Sequence, residues 1–284
     1  MRIKHNRARP AVEEHALQFG APEPVEPQFL ALGAGASFRR IAYLRRAPHE
    51  AGSRAGLVWL GGFRSTMRGE KASRLDRDAL TAGRAFVRFD YSGHGESEGR
   101  FERGTIGQWL EEALAVLRAL TEGPQILVGS SMGGWLALLA ARALALTGEA
   151  ERLRGLVLIA PAIDFTETLL WGRMSAKARA EMKAKGFWLR PSRYEPEPYP
   201  VSRELIEEGR NHLLFGATIR SHCPVHVLQG MRDEEAPWHC ALALVEHLHG
   251  DPVTLTLVKD GDHRLSREED LRRIWAAVEG MEQS

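Results

Sequence analysis

Apolar residues recur along this chain in two alternating rhythms. Short, nearly continuous apolar runs, rich in β-branched residues, fall at 56–60, 85–89, 125–128, 156–159, 225–228 and 253–258. Runs of that length bounded by turn residues read as strands buried on both faces. Between them lie longer stretches with helical spacing, at 71–82, 105–120, from Met132 onward, 237–248 and 266–278. Thr105 stands where an N-cap belongs. Two further runs, 29–32 and 38–44, flank a glycine-rich turn and predict an antiparallel hairpin at a sheet edge. Strands alternating with helices predict an α/β fold, a mostly parallel sheet with helices on both faces. Ligands of such sheets bind beyond the carboxyl ends of the strands.

The alternation stops between Pro161 and Cys223. That segment carries Trp171, Phe187, Trp188, Tyr194 and Tyr199 and a proline-rich run from Pro191 to Pro200. It is too long for an ordinary connection and predicts an insertion with helices at 174–185 and 202–211, placed as a lid over the strand ends. The expected organisation is therefore an N-terminal tail at 1–27 and one domain at 28–284, with the lid at about 162–222.

The 284 residues suffice for one large domain with a sizeable core. A formal charge of +1 gives no argument for nucleic acid or an anionic membrane as partner. Residues 1–10 are basic but lack an apolar core, so they read as a basic tail and not as a secretory signal. The apolar stretch from Trp135 is interrupted by Arg142 and is too short to span a bilayer, which excludes stable membrane insertion. Cys223 and Cys240 form neither a metal-ligand spacing nor a disulfide framework and read as free, buried thiols. The expected compartment is reducing, the cytoplasm or, in a eukaryote, an organellar matrix. No metal or organic cofactor is expected.

Chemistry concentrates on three loops. The strand at 125–128 runs into Gly129-Ser130-Ser131-Met132-Gly133-Gly134 and then into a helix. A serine on so sharp a strand-to-helix turn has a strained backbone and an exposed hydroxyl, and the flanking glycines allow the chain to double back. Only Ser131 has glycine on both flanks at that spacing. After the strand at 225–228 comes Asp233, and after the strand at 253–258 comes His263. Serine, aspartate and histidine in that order fit a nucleophile, an orienting carboxylate and a general base for acyl transfer. Glu234 and Glu235 stand beside Asp233 as alternative acids, and Asp260 and Asp262 crowd His263. His94, His226 and His239 read as structural or exposed histidines. The oxyanion left by attack needs two N–H donors. Met132, directly after the serine, supplies one; Phe63, in Gly61-Gly62-Phe63-Arg64, is the choice for the other.

Together these residues resemble the α/β-hydrolase superfamily over roughly residues 28 to 280. Asp90-Tyr91-Ser92-Gly93-His94-Gly95-Glu96-Ser97 is similar to a loop of that family, read here as structural. The chain departs from the commoner His-Gly at the oxyanion loop. Gly61-Gly62-Phe63-Arg64-Ser65, the Ser131 turn and Gly261-Asp262-His263-Arg264 resemble the mitochondrial palmitoyl-protein thioesterases that also cleave acyl glucuronides, and their bacterial relatives. The resemblance implies hydrolysis of carboxylic esters or thioesters, small or protein-borne, through Ser131, Asp233 and His263. An acyltransferase or peptidase using the same residues, or a non-catalytic binding protein of this fold, are the alternatives. Two substrate contacts are expected. Arg64, next to the oxyanion residue, attracts an acidic leaving group, with a structural ion pair as its alternative role. Trp171, with Leu169, Leu170, Phe187 and Trp188, lines an apolar acyl pocket, the alternative being that these residues only pack the lid.

Overall fold

The computed structural model describes residues 26–50, 54–191 and 196–282. The expected tail, apart from residues 26–27, and Tyr194 of the insertion lie outside the described residues.

The chain opens with the expected hairpin, β1 (Gln28–Leu32) against β2 (Arg39–Arg46), antiparallel from Gln28↔Tyr43 to Leu32↔Arg39. The alternating core follows as β3 (Gly56–Leu60), α1 (Glu70–Thr81), β4 (Phe86–Phe89), α2 (Ile106–Leu120), β5 (Gln125–Ser130), α3 (Met132–Leu146) and β6 (Leu153–Ile159). The insertion carries α4 (Ala176–Lys185), β7 (Phe187–Arg190), β8 (Tyr199–Ser202) and α5 (Arg203–Gly209). The core resumes as β9 (Val225–Gly230), α6 (Trp238–His247), β10 (Val253–Val258) and α7 (Glu268–Gly280).

Eight strands form one sheet in the order β1-β2-β4-β3-β5-β6-β9-β10. From β4 to β10 neighbouring strands are parallel, and the β1–β2 hairpin joins antiparallel through β2. Every residue of β3 and β5 is buried, which is why their sequences are apolar runs and not alternating ones. α1 and α7 pack Leu75, Ala79, Leu271 and Ile274 against one face of the sheet. α2, α3 and α6 cover the other with Trp109, Val116, Leu136, Leu139 and Leu244. Thr105 caps α2 as expected, its side chain accepting from Gln108 N at 3.3 Å.

The insertion differs from expectation in two respects: it opens with a π-helical segment, Thr166–Trp171, and it holds a short ribbon between its helices. The two expected helices are present, shortened at their starts by serine caps, Ser175 accepting from Ala178 N and Ser202 from Leu205 N. Between them lies a two-stranded antiparallel ribbon, β7 with β8, that the proline-rich sequence hides. The two ends of the insertion are tied to each other, and one of them to α3. Buried Asp164, in a left-handed conformation, accepts from the N–H groups of Leu214 and Phe215, and Trp135 Nε1 donates to His212 O at 3.2 Å. Among the described residues no helix is long and apolar enough to cross a membrane.

Candidate active site

A sharp backbone turn lies where β5 meets α3. Ser131 has φ 54 and ψ −115, a conformation costly for a residue with a side chain. The turn survives because its surroundings over-determine it. Ser131 N donates to Ile159 O at 2.9 Å, and Ser131 O accepts from Gly134 N and Ala162 N at 2.9 and 3.1 Å. The chain doubles back so tightly that a Cβ at Gly129 would collide with Gly133 O, and one at Gly133 with Leu60 O. The serine side chain makes no cap bond to α3, which leaves its hydroxyl for another partner.

That partner is His263. Ser131 Oγ lies 3.1 Å from His263 Nε2, and His263 Nδ1 lies 2.7 Å from Asp233 Oδ2. Parallel pairing of β9 with β10 puts their carboxyl ends side by side, and so brings together residues 30 apart in sequence. Asp233 is 5 % exposed, and its carboxylate is saturated. Oδ1 accepts from Glu235 N and Ala236 N at 2.9 and 2.8 Å, and Oδ2 also accepts from Gln229 Nε2 at 2.9 Å. A carboxylate held by several donors is fixed in place. The alternative acids point elsewhere. Glu235 pairs with Arg190, Glu234 is exposed, Asp260 pairs with Arg267, and Asp262 accepts from the N–H groups of Arg264 and Leu265. His226 bonds Thr256 Oγ1, and His239 stacks on Trp238.

The loop after β3 lies directly against this turn. A Cβ at Gly62 would stand 3.4 Å from Ser131 Cβ and 3.2 Å from Ser130 O. Among the described residues, the N–H groups of Phe63 and Met132 meet no acceptor. Met132 is the first residue of α3, so its N–H also carries the positive end of the helix dipole.

The 90–97 loop holds this loop in place. Asp90 accepts from Met67 N at 2.6 Å and from Glu96 N at 2.9 Å. Its burial raises its pKa, which these two donors counteract. His94, read from sequence as merely structural or exposed, takes a specific role. Its Nε2 accepts from Arg64 N at 3.1 Å, while Nδ1 faces Ser92 O at 3.3 Å. Burial among the rings of Tyr91, Phe101 and Trp109 lowers its pKa to about 4, keeping it neutral and able to accept. The resemblance of the 90–97 loop marks it as structural, but nothing in the sequence gives its partner, Arg64 N.

Ser131, Phe63, Arg64 and His263 line one cavity of about 460 Å³. Ala162, Phe165, Leu169, Leu170 and Tyr199 form its apolar wall; Ser65, Thr66, Lys71 and Arg264 lie on its polar side. The aromatic part of the expected acyl pocket is corrected here. Leu169 and Leu170 line the cavity, but Trp171, Phe187 and Trp188 do not. The Trp171 ring stacks instead with the guanidinium groups of Arg179 and Arg210, at 4.7 and 5.4 Å. An aromatic side chain beside two arginines is stabilised there by cation–π attraction, which holds it away from the cavity. Phe187 faces outward, 37 % exposed. Arg64 lines the cavity, its guanidinium 4.5 Å from the Tyr199 ring. Arg190 lines it too and was not anticipated. The thiols are both free, Cys223 buried and Cys240 only half-buried. Burial pushes the Cys223 thiol up to about 12.

The model of the alpha/beta hydrolase family matches residues 51–282. The chain is similar to palmitoyl-protein thioesterase ABHD10, mitochondrial, of Bos taurus, with 34 % identity over 231 residues, 81 % of this chain and 74 % of that protein. The Mus musculus protein of the same name is 36 % identical over 231 residues, 81 % of this chain and 76 % of its own. Among solved structures, a putative hydrolase from Agrobacterium vitis S4 superposes with a TM-score of 0.87 at 47 % identity, covering 91 % of this chain and 99 % of that one. The alpha/beta hydrolase domain-containing protein 10 from mouse gives 0.78 at 32 %, covering 90 % and 98 %.

Proposed function

Because this chain belongs to the alpha/beta hydrolase family, we propose that it is a serine hydrolase of carboxylic esters and acyl thioesters, working through an acyl-enzyme on Ser131. The observation that carries this reading is the hydrogen-bonded line from Ser131 Oγ through His263 to buried Asp233. In the proposed reaction His263 Nε2 takes the Ser131 proton as Oγ attacks the acyl carbon. Asp233 holds the Nδ1–H tautomer and stabilises the imidazolium. The N–H groups of Phe63 and Met132 receive the negative charge that develops on the carbonyl oxygen. His263 then protonates the departing alkoxide or thiolate. Water, deprotonated by the same nitrogen, releases the acid and restores Ser131.

The similarity to palmitoyl-protein thioesterases favours long acyl thioesters among the substrates, small or protein-borne. The apolar wall of Phe165, Leu169 and Leu170 suits such a chain. Arg64, at the cavity and beside the oxyanion loop, suits a leaving group that carries an anion. Two free thiols are compatible with a reducing compartment, the cytoplasm or an organellar matrix.

The test is Ser131→Ala assayed on an acyl thioester and on an aryl ester. Loss of a nucleophile of this kind lowers kcat by about three or more orders of magnitude. A variant that keeps a tenth of wild-type kcat refutes the assignment.

A further inference from the structure

One line of contacts crosses the cavity mouth and joins the two loops to which the proposed chemistry is assigned. It starts at the acid. Glu235 N–H donates to Asp233 Oδ1, and the Glu235 side chain accepts from Arg190 Nη2 at 2.8 Å. Arg190 closes β7, and its other terminal nitrogen, Nη1, donates to Tyr199 Oη at 2.9 Å, directly across the ribbon in the Arg190↔Tyr199 register pair. Burial raises the pKa of the Tyr199 phenol, so the group stays neutral and accepts that bond. The Tyr199 ring carries the Arg64 guanidinium 4.5 Å away and sits 6.0 Å from the Phe63 ring. Arg64, at φ 64, is in turn fixed through its N–H by His94. One step further back along the chain is the N–H of Phe63.

The Arg190–Glu235 pair is not an ordinary surface ion pair. The two side chains are 25 % and 20 % exposed, and the guanidinium spends its two ends on different partners. A planar fork reaches the two partners from two separate nitrogens in a fixed geometry, whereas an ammonium has a single nitrogen. The insertion touches the acid loop a second time, where Arg173 Nη1 donates to Glu234 O and Glu235 O at 3.2 Å.

Resting on the proposed serine-hydrolase reading, we propose that Arg190 is a positioning residue: it ties the loop of Asp233 to the loop of Phe63 across the insertion, so that docking of the β7–β8 ribbon brings acid and oxyanion donor into working register together. Arg190 touches neither reacting atom; it acts through Glu235 and Tyr199. Small misplacements of catalytic groups are costly, about a hundredfold for ~1 Å, so a loosened link registers in rate.

The experiment follows labelling of Ser131 by a small fluorophosphonate, which needs the base and the oxyanion donors but no acyl pocket. Wild type, Arg190→Gln, Arg190→Lys, Glu235→Gln and Arg190→Gln/Glu235→Gln are compared, with Tm and with kcat and KM on p-nitrophenyl acetate. Arg190→Gln is expected to slow labelling and lower kcat by about tenfold or more, with KM and Tm little changed. Arg190→Lys restores part of the loss, and the double variant is no slower than the worse single one. If Arg190→Gln does not fold, Glu235→Gln and Tyr199→Phe carry the same expectation. Unchanged labelling in folded variants overturns the proposal. So does a loss in KM alone, which makes Arg190 a substrate contact, and so does strict additivity in the double variant. Wild-type protein that is not labelled at Ser131 refutes the underlying hydrolase reading instead, which separates the two failures.

Discussion

Acid should unfold this protein through His94. Burial moves that imidazole from 6.5 to about 4, against the smaller opposing effect of its bond to Ser92. Its folded-state pKa is therefore depressed. Between those two values the unfolded chain binds a proton at this site that the folded chain refuses. Stability due to His94 is accordingly present above pH 6.5 and is lost as pH falls toward 4. Integrating the two titrations from pH 7 to pH 5 gives a loss of about 2 kcal/mol, rising to about 3 kcal/mol below both values. Buried Asp90 and Asp164, whose pKa values are raised, act in the opposite sense as they take up protons, so a control is needed. His94→Gln is the control, because an amide oxygen can still accept from Arg64 N and does not titrate. Guanidinium unfolding of both proteins at pH 7 and pH 5 makes the measurement. Wild type should lose about 2 kcal/mol more than the variant over that interval. Equal losses refute the reasoning, since they mean that His94 is protonated in the folded protein as readily as in the unfolded chain.

Other expectations concern the cavity. Rates on linear acyl esters should climb by about fourfold per methylene while the chain is filling the apolar wall, at ~0.8 kcal/mol per buried CH₂. Leu169→Ala should shift the length at which the climb stops, whereas Trp171→Ala should leave that length unchanged; the reverse result contradicts the placement of Trp171 between Arg179 and Arg210. Arg64→Ala should reduce kcat/KM more for an ester with an anionic leaving group than for a neutral one. Equal reduction on both leaves Arg64 a structural role, with Tyr199 among its partners.

The parts of the fold legible in the sequence are those governed by local physics. β3 and β5 are buried on both faces, so apolar residues fill the middle of both strands in an unbroken run. Thr105 caps a helix through its own hydroxyl, and the Ser131 turn is written in glycines that the close approach of Leu60 O and Gly133 O demands. The candidate site was readable because strand ends gather on one edge of a parallel sheet, which predicts the meeting of Asp233 and His263 from order alone. The remaining features depend on contacts between distant side chains. The β7–β8 ribbon is short and interrupted by prolines, so its pattern is indistinguishable from a loop. Trp171 looks like a pocket residue by type, and its arginine partners, 8 and 39 positions away, can be matched to it only in three dimensions. Arg190 and Glu235 lie 45 residues apart. Their pairing has no sequence signal beyond opposite charge.

The central claim is that Ser131 carries the acyl group, and mass spectrometry of a rapidly quenched reaction tests it most directly. The protein is mixed with excess acyl thioester, stopped in acid during turnover, digested and searched for acylated peptides. The account predicts an acyl adduct on the peptide containing Ser131, absent in Ser131→Ala and accumulating when His263→Ala slows deacylation more than acylation or with a slowly hydrolysed acyl group. Sustained turnover with Ser131 unmodified at every quench time, together with an adduct on another residue, would contradict it.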